Sequence, residues 1–364
     1  MKNLILELYK LINTFNIFLI FKVKKSTYYK PVLFLNGAMS GSGAGPKVKV
    51  KRLKYLFKTS RINPNIFYCL SNCIYSYNYF INKFVKLKIP IIYNQNGIFH
   101  KNWYKGNVSI ENKKMEFYLK NADYVFYQSK FCKNCCDNYI YKRKIDYKIL
   151  YNAVNTNEFI PGKKIKTDYV PVLKIGTYNE KNSWRIFDII ETIRIINHNS
   201  NLQFKVSIVG SVDKILKSRA QELICKYRMN DQIYFFGKIS QEKIVKIMQK
   251  HLIFLTTKLN DPCSNAIIEA MACGLPVIFH NSGGNFELVR NAGWRFGKKD
   301  PTIEEISYNR NDLLLTMKNI TRKEISIKSK LARSRAQKYF NIFKWEKEHI
   351  KVFKSSFAKL KNKV

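Results

Sequence analysis

Short apolar runs bounded by turn-forming residues alternate with longer amphipathic stretches along this chain, the pattern of a parallel α/β protein. The run at 31–36 predicts a strand. It feeds a glycine-rich loop (Gly37, Gly41, Gly43, Gly45) and then a basic helix over 47–58. Further strands are predicted at 66–70, 89–93 and 124–127, with no obvious strand between Lys58 and Asn65, so the first domain reads as short. After a charged linker at 162–168 come a strand at 173–178, a helix at 184–196, a strand at 204–210, a helix at 214–227, a strand at 233–237 and a helix at 241–249. A final helix over 344–360 has Trp345 and Phe353 as apolar anchors. Alternation on this scale implies parallel sheets covered on both faces.

The most informative stretch is 261–284, DPCSNAIIEAMACGLPVIFHNSGG. The strand-like HLIFLTT at 251–257 passes through a polar turn into a helix-prone segment, 266–272, which stops at Gly274 before Pro276 opens the next apolar strand. Such a unit presents the unpaired N–H groups of a helix start at the carboxyl end of a sheet, where phosphate binds well. Asp261 and Glu269 lie eight apart, one before the helix and one within it. Two carboxylates so placed can accept hydrogen bonds from sugar or ribose hydroxyls.

These residues resemble the E-x7-E signature of the family 4 retaining glycosyltransferases, and SGGNFELV at 282–289 matches the glycine pair and glutamate found after the family's signature helix. The segment ILYNAVNTNEFIP at 149–161 is similar to the one that closes the family's first domain, with Asn155 where aspartate is usual; NADYVFYQS resembles its strand ending in serine. The resemblance implies a GT-B fold, two Rossmann-like domains facing each other across a cleft. It divides the chain into an N-terminal segment (1–30), an acceptor domain (31–165), a nucleotide-sugar domain (166–340) and a C-terminal helix (341–364) crossing back to the first domain.

Residue by residue, the resemblance implies that Glu269 holds the ribose hydroxyls and that Asp261, shorter than the usual glutamate, contacts the transferred sugar. Ser264 and Asn265 lie where the helix start would receive the diphosphate, a role compatible with ordinary capping. Gly176 and Gly43 fall at donor-facing loops; Gly41 and Asn96 fall on the acceptor side. The family's arginine after Gly176 is replaced by Thr177, and Lys181 and Arg185 bracket the position of its phosphate-neutralising lysine. Asn96 and Gly97 stand where a histidine pair is frequent, so Asn96 can bind substrate but cannot titrate. His280 lines the site or serves structure, and His100 reads as a loop residue. The implied reaction moves a sugar with retention from a nucleotide-sugar donor to a glycan or lipid-linked acceptor, with no cofactor or metal.

The 364 residues suffice for two cores. The net charge of +40 suggests an anionic partner, yet the lysines are spread along the chain and no pattern for specific nucleic-acid reading is present. Cys132, Cys135 and Cys136, with Cys69 and Cys73, make a poor tetrahedral zinc site and read as reduced thiols, which points to the cytoplasm. Residues 4–21 read as an amphipathic helix that either packs on the protein or lies in a membrane interface. The acid-free run Lys47, Lys49, Lys51, Arg52, Lys54, Lys58 and Arg61, interleaved with Val50, Leu53, Leu56 and Phe57, offers a second contact with an anionic cytoplasmic leaflet. A non-catalytic GT-B binding protein and a basic surface-binding protein are the competing readings.

Overall fold

The structure, a computed structural model, describes residues 4, 7, 8, 11, 12, 30–36, 45–61, 63–71, 82, 88–101, 104–163, 166–200, 202–299, 303 and 308–361. It forms two units, residues 1–152 with 343–364 and residues 153–342. In the first, β1 (Val32–Asn36) leads through α1 (Gly45–Leu56) to β2 (Lys58–Thr59), β3 (Ile66–Leu70) and β4 (Ile91–Gln95). Then come α2 (Val108–Asn121), β5 (Tyr124–Tyr127), α3 (Lys130–Tyr139) and β6 (Tyr147–Ile149). All six strands are parallel, in the order β2-β1-β3-β4-β5-β6. Every residue of β3 and β4 is buried, as expected of strands covered on both faces. Ser129 accepts the Cys132 N–H at 2.9 Å and so starts α3. Cys132, Cys135 and Cys136 are buried on that helix, and burial pushes the Cys135 thiol up to about 12.

In the second unit β7 (Tyr169–Ile175) and a 3-10 turn (Glu180–Asn182) precede α4 (Trp184–Asn199), β8 (Gln203–Val209), α5 (Lys214–Lys226), β9 (Ile233–Gly237) and α6 (Gln241–Met248). There follow β10 (Ile253–Thr256), α7 (Asn265–Ala272), β11 (Val277–His280), α8 (Asn285–Val289), β12 (Gly293–Phe296), α9 (Arg310–Lys318) and α10 (Arg322–Tyr339). The parallel order is β12-β11-β10-β7-β8-β9, the doubly wound arrangement in which chain direction across the sheet reverses between β7 and β10. Ligands of such sheets bind at the carboxyl ends of the strands beside that reversal. Val170 and Val172 of β7 pack with Ile186 and Ile190 of α4 and with Ile208 of β8 in the core on one face. Gly210 (φ +122°) lies so close to β7 that a Cβ there would fall 1.8 Å from the Gly176 carbonyl oxygen, so only glycine lets β7 and β8 meet there.

The units divide ahead of the linker at 162–168. Residues 153–161 are held by the second unit: Val154 bridges to Asn341, and Arg333 donates to the carbonyls of Thr156, Phe159 and Ala272 at 2.7–2.9 Å.

The basic face of the first unit differs from expectation. Lys49, Val50 and Leu53 are buried because these positions form the side of α1 that packs on the sheet, and Phe57, just past the helix, is buried against His349 and Phe353. Lys47, Lys51, Lys54, Lys58 and Arg61 are exposed, so the outer face is mainly cationic, with the exposed Tyr55 and the half-buried Leu56 as its apolar part. In the N-terminal segment Leu4, Leu8, Leu11 and Ile12 are helical and exposed; the rest of the stretch 4–21, Glu7 apart, lies outside the described residues. Among the described residues no helix is long and apolar enough to cross a membrane.

The last helix, α11 (Ile342–Lys361), joins the first unit from Phe343 on. Its anchor is polar as well as apolar. Lys49 Nζ donates to Asn94 Oδ1 (2.6 Å) and Asn96 Oδ1 (2.7 Å), and Asn94 Nδ2 donates to the Tyr68 hydroxyl (3.0 Å). The Tyr68 hydroxyl meets His349 Nε2 at 2.8 Å, and His349 Nδ1 meets the Trp345 carbonyl at 2.8 Å. A carbonyl only accepts, so Nδ1 carries the hydrogen and Nε2 accepts from Tyr68. His349 is thus neutral and fully enclosed; burial, aided by the charge of Lys49 and opposed by the Trp345 carbonyl and Glu348, holds it down at about 3. A folded-state value below the ordinary 6.5 means that stability is lost as pH falls from 6.5 toward 3. Between pH 7 and pH 5 wild type should therefore lose about 2 kcal/mol relative to His349→Gln, read by urea unfolding of both proteins. An equal loss in the two would show that His349 is not held neutral.

Candidate functional site

The turn between β10 and α7 is fixed from beneath by the segment 282–284. Asn260 takes a left-handed conformation (φ +50°); its N–H donates to Ser282 Oγ at 3.0 Å and its Nδ2 to the Ile303 carbonyl at 2.9 Å. The Asp261 carbonyl accepts from Gly284 N at 2.9 Å. Gly283 (φ +65°) sits so close that a Cβ would lie 2.6 Å from that carbonyl oxygen, which is why a glycine stands at 283. Ser264 caps α7 by accepting from Ile267 N, a long bond at 3.5 Å, and Asn265 is the helix's first residue. The first N–H groups of a helix have no partner within it; here they stand at the carboxyl edge of the sheet.

Asp261 is mostly buried; its carboxylate pairs with Lys258 Nζ at 2.9 Å and accepts the Cys263 N–H at 3.3 Å. Glu269 is half-buried within α7. Its charge adds to burial in pushing the Cys273 thiol up to about 12.

Lys181 and Arg185 part company. Lys181 is exposed on the 3-10 turn. Arg185, in the first turn of α4, is half-buried, and its Nε–H is enclosed with no hydrogen-bond partner. Burial draws its guanidinium down, opposed by the charges of Tyr178, the Asp261 carboxylate and Tyr308. Gly176 follows β7, donates to the Val209 carbonyl at 3.0 Å and would clash with the Tyr178 ring if it bore a Cβ. Thr177 is exposed.

His280 is enclosed: its Nδ1 lies 3.0 Å from Ser282 Oγ, its ring packs on Phe296 and Tyr308, and Gly297 presses on its edge. It supports the turn under Asp261 through Ser282.

One residue of this region belongs to none of the sequence motifs. Lys174, on the face of β7 that otherwise carries Val170 and Val172, is 2 % exposed, and its Nζ donates to Thr257 Oγ1 at 2.7 Å, just past β10. Burial and the charge of Arg185 lower it to about 7, against Asp188. The signal was present in VPVLKIG, a lysine where the period of the strand calls for an apolar residue.

In the first unit Asn96 is committed internally. Its Nδ2 donates to the Ser71 carbonyl (3.0 Å), its N–H to Ser71 Oγ (2.7 Å), its Oδ1 accepts from Lys49 and its carbonyl accepts from Gln128. The side chain braces β4 against the end of β3. His100 is buried. Gly41 and Gly43 lie outside the described residues.

Residues 156–330 match the family model described as glycosyl transferases group 1. An uncharacterised glycosyltransferase of Methanocaldococcus jannaschii is 26 % identical over 241 residues, 65 % of this chain and 59 % of that one. The GPI3 subunit of phosphatidylinositol N-acetylglucosaminyltransferase from Saccharomyces cerevisiae is 24 % identical over 191 residues, 50 % of this chain and 40 % of that one. The chain thus spans less than two thirds of the length of these relatives. Among solved structures, sucrose-phosphate synthase from Thermosynechococcus elongatus aligns with a TM-score of 0.65 at 17 % identity, covering 86 % of this chain and 77 % of that one. HepE from Anabaena in complex with UDP aligns at 0.66 and 14 % identity, covering 89 % and 100 %. The fold is GT-B, with two six-stranded parallel sheets, and the resemblance to glycosyl transferases group 1 lies within the second unit.

Proposed function

We propose that the chain transfers a sugar, with retention, from a nucleotide-sugar donor to a glycan or lipid-linked acceptor, within the family 4 type of group 1 glycosyltransferases. The observation that carries this reading is the start of α7 at the carboxyl edge of the sheet, together with the enclosed, unpartnered Nε–H of Arg185, whose guanidinium feels the Asp261 charge. Helix-start N–H groups receive the diphosphate, Arg185 neutralises the charge that grows on it as it leaves, and Glu269 binds the ribose. Positioning and electrostatics then replace a titrating nucleophile and a metal. HepE, similar in fold, is seen with UDP, which makes UDP-sugars the first donors to test. The phosphatidylinositol in the name of the GPI3 relative agrees with a lipid-linked acceptor met at the cytoplasmic face of a membrane. Thr177, exposed where the resemblance expects a cation, favours the alternative of a non-catalytic nucleotide-binding protein; donor hydrolysis across a panel of nucleotide sugars separates the two.

Glu269→Ala should weaken nucleotide binding by about 1.5–3 kcal/mol, as for a hydrogen bond to a charged group. Arg185→Gln should lower turnover far more than it raises the donor KM, and Lys181→Ala should change neither by much. Calorimetry and initial rates check both; unchanged affinity in a folded Glu269→Ala protein would remove Glu269 from the donor site.

The exposed cations of α1 and the exposed stripe Leu4, Leu8, Leu11 and Ile12 support a peripheral contact with anionic lipid, worth roughly 1 kcal/mol per lysine near the surface. Co-sedimentation with anionic vesicles should fall as salt rises and weaken when Lys51, Arg52 and Lys54 become glutamine. Equal binding to neutral vesicles, or none to anionic ones at low salt, contradicts the contact.

A further inference from the structure

Lys174 is an ammonium site without an ionic partner. It is 2 % exposed, donates one hydrogen bond, to Thr257 Oγ1, and makes no ion pair among the described residues. Three N–H donors are available to a protonated lysine, so two are unspent, in a place where burying an unpaired charge is costly. The strand could have carried an aliphatic residue there, as it does at Val170 and Val172.

Its position gives the expense a purpose. Lys174 is the last residue but one of β7, and its bond to Thr257 ties the ends of β7 and β10, the two strands between which the sheet order reverses. Arg185 and Asp188 of α4 are the charged groups that act on it, and the Tyr178 ring lies 5.8 Å from Nζ. Its register partner on β8 is Ile208, which is apolar. Arg185 in turn feels Asp261 of the turn before α7. A second cation therefore stands behind Arg185, three residues before the exposed Thr177 that fills the expected arginine position.

We propose that Lys174 is the proton-binding cation of the donor site, only partly protonated when the site is empty and fully protonated when a nucleoside diphosphate occupies it, so that donor binding above neutral pH takes up a proton. This inference rests on the donor reading of the same site. The ground is electrostatic: a buried amine beside Arg185 resists protonation until anionic phosphate offsets both the repulsion and the burial. The amine takes its proton from the buffer, and the group supplies within β7 the charge that Thr177 does not. With the empty site near 7, a bound value well above 8 corresponds to uptake of roughly nine-tenths of a proton at pH 8 and about one-tenth at pH 6.

Calorimetric titration with UDP, GDP and ADP in buffers of different ionisation enthalpy reads the uptake directly. At pH 8 the terminal phosphate of a nucleoside diphosphate, with a second ionisation near 6, is already fully charged and adds little. Lys174→Met keeps the volume and removes the amine, and comparison with it cancels any proton uptake by other groups. Thr257→Val leaves the amine and removes its hydrogen bond, which guards against a folding defect peculiar to position 174. Wild type and Thr257→Val should take up close to one proton at pH 8 with the nucleotide that binds, and Lys174→Met close to none, with wild-type uptake beyond that of Lys174→Met falling toward zero at pH 6. Nucleotide binding without uptake in wild type, or with equal uptake in Lys174→Met, overturns the role of Lys174 and leaves the donor reading standing. Absence of binding by all three nucleotides overturns the donor reading, and this inference with it.

Discussion

The backbone of Asp261 rests directly on Gly283, and the geometry of the candidate site depends on that contact. A side chain at 283 would meet the Asp261 carbonyl at 2.6 Å and would have to adopt φ +65°, a left-handed conformation that costs other residues on the order of 1–3 kcal/mol. Gly284 then donates to the same carbonyl, and Ser282, itself beside His280, receives the Asn260 N–H. The strand after the helix thus shapes the turn before it. The start of α7, the Asp261 carboxylate and the half-buried Glu269 take their places from this closed loop of contacts.

Charge in the two units is used differently. In the first, Lys49 is buried but its donors are directed at Asn94 and Asn96, and the ordered chain through Tyr68 to His349 spends its polar groups on joining α1, β3, β4 and α11. In the second, Lys174 and Arg185 are enclosed with donors left over, at the end of the sheet where phosphate is expected. Fully satisfied networks specify structure, and enclosed donors without partners mark sites where something else supplies the acceptor. Overall net charge, which is spread over the surface, distinguishes neither case.

Much of the fold was legible because parallel sheets covered on both faces write themselves as apolar runs. The strands at 66–70 and 124–127 fall where the runs fall, and so does the edge strand at 233–237, although only Ile233 of its five residues is buried. The two-residue edge strand β2 was illegible, since Lys58 and Thr59 are polar and exposed and join β1 through backbone alone. The strand before Gly176 begins earlier than its glycine-centred reading suggested, at Tyr169, because the pairing with β8 extends back to Gln203. At the site, the loop, helix and glycine pair were visible as spacing. Which cation turns inward was not: Lys181 and Arg185 differ by one helical turn, and only the packing of α4 separates them. Asn96 looked free in sequence because nothing local shows that Lys49 and Ser71 occupy both ends of its amide.

The functional reading rests above all on the start of α7 receiving the diphosphate of a nucleotide. Crystals of the protein soaked with UDP-glucose and, in parallel, with GDP- and ADP-glucose test this most directly. The expected result is diphosphate density at the N–H groups after Ser264, within hydrogen-bonding reach of Arg185, and ribose hydroxyls on Glu269. Nucleotide bound elsewhere on the sheet, with the start of α7 unliganded, would contradict it.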